Sequence, residues 1–157
     1  MSTNTRDERS RARMNKALKY LRMFLQDTPE LNRLTFDYEL GDEQLRFAID
    51  MAISDWNITM PPLPHKTIDN FPSLYLLMHG AAIQSLKMAG MKQSRNELTY
   101  NSGGSSFARS NKTRLYQSWI SMFTNDYELK KRNSKIASNV SRGYGQVSSE
   151  YGCLGWW

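Results

Sequence analysis

Apolar residues recur at three- and four-residue intervals in four stretches of the chain, and this spacing predicts four α-helices. The stretches are 6–26, 42–57, 72–98 and 111–140. They are separated by breaks such as the proline-rich run PPLPHKTIDNFP and the glycine/serine loop at 100–111. No stretch alternates apolar and polar residues over the length of a strand, so the pattern favours an all-α fold.

The predicted core comes from the apolar faces of these helices. The second helix carries apolar side chains four, seven, eight and eleven residues after Leu45, which is one face of an amphipathic helix. The third has apolar residues on two sides, so we expect it to be the central helix, with Pro72 in its first turn. The positions expected in the core or in subunit packing are Leu45, Ile49, Ile53, Trp56, Leu77, Ala81, Trp119 and Phe123.

The fourth helix changes character along its length. Its first half is rich in expected core residues, namely Leu115, Tyr116, Trp119, Ile120, Met122, Phe123, Tyr127 and Leu129. Its second half, KKRNSKIASNVSRG, keeps only Ile136 and Val140 as larger apolar residues, so we expect it to leave the core. The predicted fold is an all-α, four-helix bundle-like domain with a protruding C-terminal helix and an extended tail. Its parts are a basic N-terminal helix (1–27), a helical core (28–129) and a basic helix end with an aromatic tail (130–157).

Charge is distributed unevenly along the 157 residues, whose formal net charge is +6. The stretch 1–27 carries +4 and 109–142 carries +6, whereas 28–108 carries −3. Basic flanks around an acidic middle favour contact with a polyanion or an acidic protein surface, the alternative being solvated helix faces. The candidate contact residues are Arg6, Arg9, Arg11 and Arg13, or Lys130, Lys131, Arg132 and Lys135.

Residues that could perform catalysis or bind a metal are sparse. His65 and His79 are fourteen residues apart and have no partners at metal-ligand spacing, and His79 is expected to be a boundary residue of the third helix. Cys153, the single cysteine, has no base evident in the sequence. The pattern therefore predicts no enzyme activity, metal or cofactor. The absence of a long apolar run and of a signal-like N-terminus predicts an intracellular protein without a membrane span.

The stretch 143–157 combines aromatic side chains with glycines and has almost no charge. A flexible segment of this kind loses its freedom only where it finds a groove, and aromatic anchors bury large areas there. The alternative is that its tryptophans fold back and complete their own core. The anchor residues are Tyr144, Tyr151, Leu154, Trp156 and Trp157.

The order of elements over residues 40–130 resembles the head–tail connector (adaptor) proteins of tailed bacteriophages. An amphipathic helix, ELGDEQLRFAIDMAISDWNITMPP, leads through a loop to a long helix, which passes through a glycine-bearing turn into the last helix. The most specific part of the resemblance is the turn itself, with Arg95, Asn96, Leu98, Tyr100, Ser102, Gly103 and Gly104.

This resemblance implies a non-enzymatic virion protein at the neck, made in the host cytoplasm. It implies a homo-oligomeric ring, a dodecamer by family analogy, that lies below the portal around the DNA exit channel. The expected partners are the portal protein, docked through the tail residues above, and a tail-side neck or head-closure protein, with possible non-specific contact with packaged DNA. The alternative prediction is a small basic protein that binds DNA non-specifically during genome packaging.

Overall fold

The structure, a computed structural model, describes residues 3–32, 37–95, 101–102, 105–106 and 112–144. Within these ranges the chain forms four α-helices: α1 (Thr3–Leu25), α2 (Asp42–Ile58), α3 (Leu74–Arg95) and α4 (Lys112–Tyr144). Two short strands, β1 (Asn101–Ser102) and β2 (Ser105–Ser106), pair antiparallel between α3 and α4. The all-α, bundle-like prediction is confirmed. The pairing of β1 with β2 was not expected inside the glycine/serine loop.

Local interactions set the helix ends. Helix α1 stops at Gln26, whose φ of 55° is left-handed, and α2 starts where the backbone N–H of Gly41 donates to Gln44 Oε1 at 3.0 Å. The hydroxyl of Thr59 closes α2 by donating to the carbonyl of Asp55 at 2.6 Å. Helix α3 begins after Ser73, whose carbonyl accepts from Leu77. Pro72 therefore precedes α3 rather than occupying its first turn.

Helix α3 is the centre of the bundle, as the apolar residues on two of its sides predicted. It packs against α1, α2 and α4, and its buried positions extend around most of its circumference. Gly80 is where the packing is closest, because a Cβ built there would lie 3.0 Å from both the Ala52 Cβ and the Tyr127 hydroxyl. Three helices therefore meet at one glycine.

The predicted core is largely confirmed. The side chains of Leu45, Ile49, Ile53, Trp56, Leu77 and Ala81 are buried, and Phe123 is partly buried against the core.

Trp119 lies outside this core, because 47% of it is exposed, so subunit packing is the role that stays open for it. Three further residues of the first half of α4 are exposed as well and correct the expectation that they lie in the core, namely Leu115, Met122 and Leu129. The core face of α4 is narrower than its content of apolar residues suggested, because it is formed mainly by Tyr116 and Tyr127 with partly buried Ile120 and Phe123.

Candidate interaction surfaces

Lys131 does not face solvent, contrary to its prediction as a contact for DNA or an acidic surface. Its side chain is 2% exposed, and its Nζ lies 2.8 Å from both Asp55 Oδ2 and Glu128 Oε1. Asp55 also accepts a hydrogen bond of 3.0 Å from the Tyr127 hydroxyl. The ammonium group of Lys131 is thus paired with two carboxylates. Lys131 therefore belongs to the contact between α4 and the end of α2.

Lys135, one turn later, is fully buried and is the second correction. Its Nζ donates to the carbonyl oxygen of Thr59 and, at 3.4 Å, to that of Pro61. It also lies 5.2 Å from the centre of the Trp56 ring. Burial, and then the charge of Lys131, lower the pKa of this amine below its usual value. Lys135 therefore satisfies backbone carbonyls inside the protein and is not open to a phosphate.

These two lysines also correct the expectation that the second half of α4 leaves the core. A groove of about 190 Å³ continues the contact: Trp56, Leu63, Lys66 and Pro72 line one side, and Ser138, Ser141 and Arg142 of α4 line the other. The second half of α4 thus stays in contact with the end of α2 and with the 59–72 segment.

Lys130 and Arg132 remain at the surface. The Lys130 Nζ lies 2.8 Å from Asp126 Oδ2 and 2.6 Å from the Tyr75 hydroxyl, and the hydrogen bond to Asp126 is the main cause of the raised pKa of this amine. Arg132 is exposed, with no salt bridge among the described residues. Of the four basic candidates on α4, these two are open to a partner.

The described basic candidates of α1 all lie at the surface, but only Arg13 has a salt bridge among the described residues. Arg9 and Arg11 are exposed. Arg13 binds Asp69, its NH1 lying 3.3 Å from the Oδ1 atom, and Ser10 donates to the same carboxylate. Arg13 thus ties α1 to the segment before α3. The side chain of Arg6 lies outside the described residues.

The anchor side chains of the tail (Tyr144, Tyr151, Leu154, Trp156 and Trp157) lie outside the described residues, as does Cys153. Within the described ranges, no group of three histidine, cysteine, aspartate or glutamate side chains could hold a metal ion. In the same ranges, no helix has both the length and the apolar character needed to cross a membrane.

His79 is a half-buried boundary residue, as predicted. Its ring stacks on Tyr75 with 3.9 Å between ring centres and also contacts Phe24 and Phe123. Burial lowers the pKa of its imidazole, although the backbone carbonyl of Tyr75 and the carboxylate of Asp126 oppose that effect.

Sequence reasoning missed two carboxylates, Asp27 and Glu39, that join parts of the fold through hydrogen bonds. Asp27 accepts from Arg22, from Asn32 and from the backbone N–H groups of Glu39 and Leu40. Glu39 in turn accepts a 2.5 Å hydrogen bond from Tyr116. Burial and the neighbouring Glu39 raise the pKa of the Tyr116 phenol. Their partners lie more than ten residues away in most cases, so local spacing carries no signal for them.

Apolar side chains that point outward form the other surface feature. Helix α4 exposes Leu115, Trp119, Met122, Leu129, Ile136 and Val140, and α2 exposes Phe47, Met51 and Ile58. Where exposed apolar side chains join into one patch, they are typical of an interaction site.

No protein-family model, curated protein or solved structure matches this chain.

Proposed function

We propose that this chain is a structural subunit of a tailed-bacteriophage virion, a head–tail connector that forms a ring below the portal. In this role it performs no catalysis. It would be made in the host cytoplasm and assembled at the neck, where it binds the portal on one side and a neck or head-closure protein on the other.

The observation that carries the proposal is the order of elements around the β1–β2 pair. Asn101 pairs with Ser106 and Ser102 with Ser105, between a central helix and a long last helix. This is the position of the glycine-bearing turn on which the resemblance to connector proteins is most specific. The exposed apolar faces of α2 and α4 also support a protein that works in contact with other chains.

The alternative, a small DNA-binding protein, loses part of its support. Its basic surface on α4 is reduced to Lys130 and Arg132, since Lys131 and Lys135 are buried and already hydrogen-bonded. A surface that can neutralise fewer phosphates binds DNA more weakly and with a shallower salt dependence. Arg9 and Arg11 remain available for a weak electrostatic contact with DNA inside the ring.

The test is co-assembly with the portal protein encoded in the same genome, followed by sedimentation and negative-stain imaging. We expect the full chain to decorate portal rings and the variant Trp156→Ala/Trp157→Ala to lose this binding, because buried tryptophans dominate many interfaces. Leu31→Ala, at an exposed apolar position outside the tail, is the control and should bind normally.

Three other results would change the proposal in different ways. Equal binding of the double variant would retain the connector but exclude the two tryptophans as its anchor. Failure of every folded variant to bind the portal would overturn the connector function. Steeply salt-dependent binding of the isolated chain to short duplex DNA would then favour the alternative.

A further inference from the structure

The outer face of α4 carries a regular seam. Eight positions follow one another at alternating intervals of four and three residues, and we call them the α4 seam: Leu115, Trp119, Met122, Asp126, Leu129, Asn133, Ile136 and Val140. The six apolar members are all exposed. A 3.5-residue repeat keeps one side of a helix facing a second helix along its length. At 1.5 Å per residue, the seam is about 38 Å long.

The apolar members of the α4 seam lie apart from the face that packs into the bundle, whereas Asp126 accepts a 2.5 Å hydrogen bond from the Tyr75 hydroxyl of α3. The core face carries Tyr116, Tyr127, Lys131 and Lys135, all buried. One residue along a helix is a rotation of about 100°, so Leu115 lies well away from Tyr116 around the axis. The seam is therefore not a by-product of a loosely packed core. It is a second apolar face, and the described residues leave it exposed.

A shorter stripe with the same spacing runs along the outer face of α2. Phe47, Met51, Ser54 and Ile58, which we call the α2 stripe, follow at intervals of four, three and four residues. Phe47, Met51 and Ile58 are exposed. The stripe lies opposite the buried face of the same helix. That face consists of Leu45, Ala48, Ile49, Ala52, Ile53 and Trp56.

Charge distinguishes the two faces. Helix α2 carries four carboxylates and one arginine. Asp42 and Asp55 are paired with Arg22 and Lys131 of the same chain, whereas Glu43 and Asp50 lie exposed beside its stripe. Helix α4 carries seven basic and two acidic residues, but Lys131 and Lys135 are buried within the same chain and add no charge to the outer face. Lys130 and Arg132 flank the middle of its seam and are exposed. Pairing α4 with α4 would bring like charges together, whereas pairing α4 with α2 brings opposite charges together.

We infer that the α4 seam of one copy of this chain packs against the α2 stripe of a second copy. The matched spacing aligns apolar side chains, and the acidic flanks of the stripe meet the basic flanks of the seam. Because the two surfaces differ, each copy uses both, and the contact is head-to-tail. Such contacts continue into a ring or a filament. The contact supplies the subunit interface of the proposed connector, and only the closure of the ring rests on that proposed function.

Disulfide trapping tests the contact directly. In a Cys153→Ser background, Met51→Cys places a thiol on the stripe of one copy and Met122→Cys places one on the seam of another. We expect the mixture of the two variants to give a disulfide-linked heterodimer in higher yield than either variant gives alone. Homodimers of Met122→Cys alone, in equal or higher yield, would overturn the head-to-tail contact in favour of α4 pairing with itself.

Sedimentation of the full chain over a wide range of concentration gives the second readout. We expect concentration-dependent association, weakened at least about tenfold by Leu129→Glu, which places a carboxylate in the seam. Leu31→Glu is the matched control, since Leu31 is 60% exposed and Leu129 is 61% exposed, and it should associate like the wild type. Equal association of the two variants, or a chain that stays monomeric and gives no cross-link, would overturn the inference. Portal binding is measured separately, so a failed connector function leaves this result intact.

Discussion

The two halves of α4 pack on the rest of the protein by different means. The first half uses aromatic rings: Tyr116 and Tyr127 are buried, and Phe123 packs against both core clusters. The second half uses Lys131 and Lys135, whose aliphatic stems are buried and whose ammonium groups reach oxygen acceptors. A helix can therefore stay docked after its apolar residues run out, provided that each buried charge has its partners.

The largest expected effect comes from removing both buried ammonium groups in the double variant Lys131→Met/Lys135→Met. We expect the free energy of unfolding to fall by about 2–5 kcal/mol, because Asp55 and the carbonyls of Thr59 and Pro61 are left without these donors. The lower end of this range lies below the figure of about 3–5 kcal/mol for a fully buried ion pair, since Asp55 is 34% exposed and water can replace part of the missing interaction.

Urea unfolding followed by circular dichroism measures this difference. Lys130→Met is the control, because its pair with Asp126 is at the surface, and it should change stability little. A double variant as stable as the control would mean that the second half of α4 is not held by its lysines.

Two glycines of α3, Gly80 and Gly90, test how tightly the first half of α4 packs. At Gly80 an added Cβ would meet Ala52 and Tyr127 at 3.0 Å, so Gly80→Ala should destabilise the protein by about 1–3 kcal/mol through overpacking. At Gly90 the nearest atom to an added Cβ is the Tyr116 Cβ at 3.5 Å, an ordinary contact. Gly90→Ala should therefore stabilise the protein, by up to about 1 kcal/mol, through its higher helix propensity.

Thermal and urea unfolding of the two alanine variants check this prediction. Opposite signs for the two substitutions are the expected outcome. If both stabilise the protein, the crossing of α2, α3 and α4 at Gly80 is looser than the distances indicate.

The smallest expected effect is on how the stability of the protein depends on pH. It concerns His79, whose ring packs with those of Tyr75, Phe24 and Phe123. The pKa of His79 is lowered in the folded protein, so the unfolded chain binds more protons around its ordinary value of about 6.5. Its contribution to stability is present above that value and is lost as the pH falls through the folded pKa. Unfolding free energies from about pH 7.5 to about pH 5 should therefore decrease less in His79→Phe than in the wild type.

The other histidine provides the control for that series. His65 is exposed in the loop before α3, and His65→Phe is the comparison variant. If the two variants show the same slope, then the histidine that titrates on unfolding is not His79.

Periodicity was sufficient to predict the four helices and the buried face of α2, because Leu45, Ile49, Ile53 and Trp56 repeat at helical spacing. It was insufficient for α4, where apolar residues lie on two faces and only one of them enters the core. For that reason periodicity did not separate Trp119, on the outer face, from the residues that enter the core.

Lys131 and Lys135 were misassigned because a lysine reads as a surface residue unless its partners are known. Those partners, Asp55, Thr59 and Pro61, are more than seventy residues away in the sequence. One signal was available: Lys131 and Lys135 follow Tyr127 at successive intervals of four residues and so continue its face of the helix. The tail residues lie outside the described part of the chain, so their docking stays a prediction.

The burial of Lys131 and Lys135 also gives neighbouring amines of one helix very different chemical accessibility. An acylating reagent dissolved in water reaches the exposed amine of Lys130, but it reaches the two buried amines only when α4 lifts from α2. Acylation there would remove the positive charge and add bulk where the ammonium group sits, so a helix modified while lifted could not return to its place. In the presence of such a reagent, acylation of Lys131 or Lys135 therefore reports that α4 has lifted from α2.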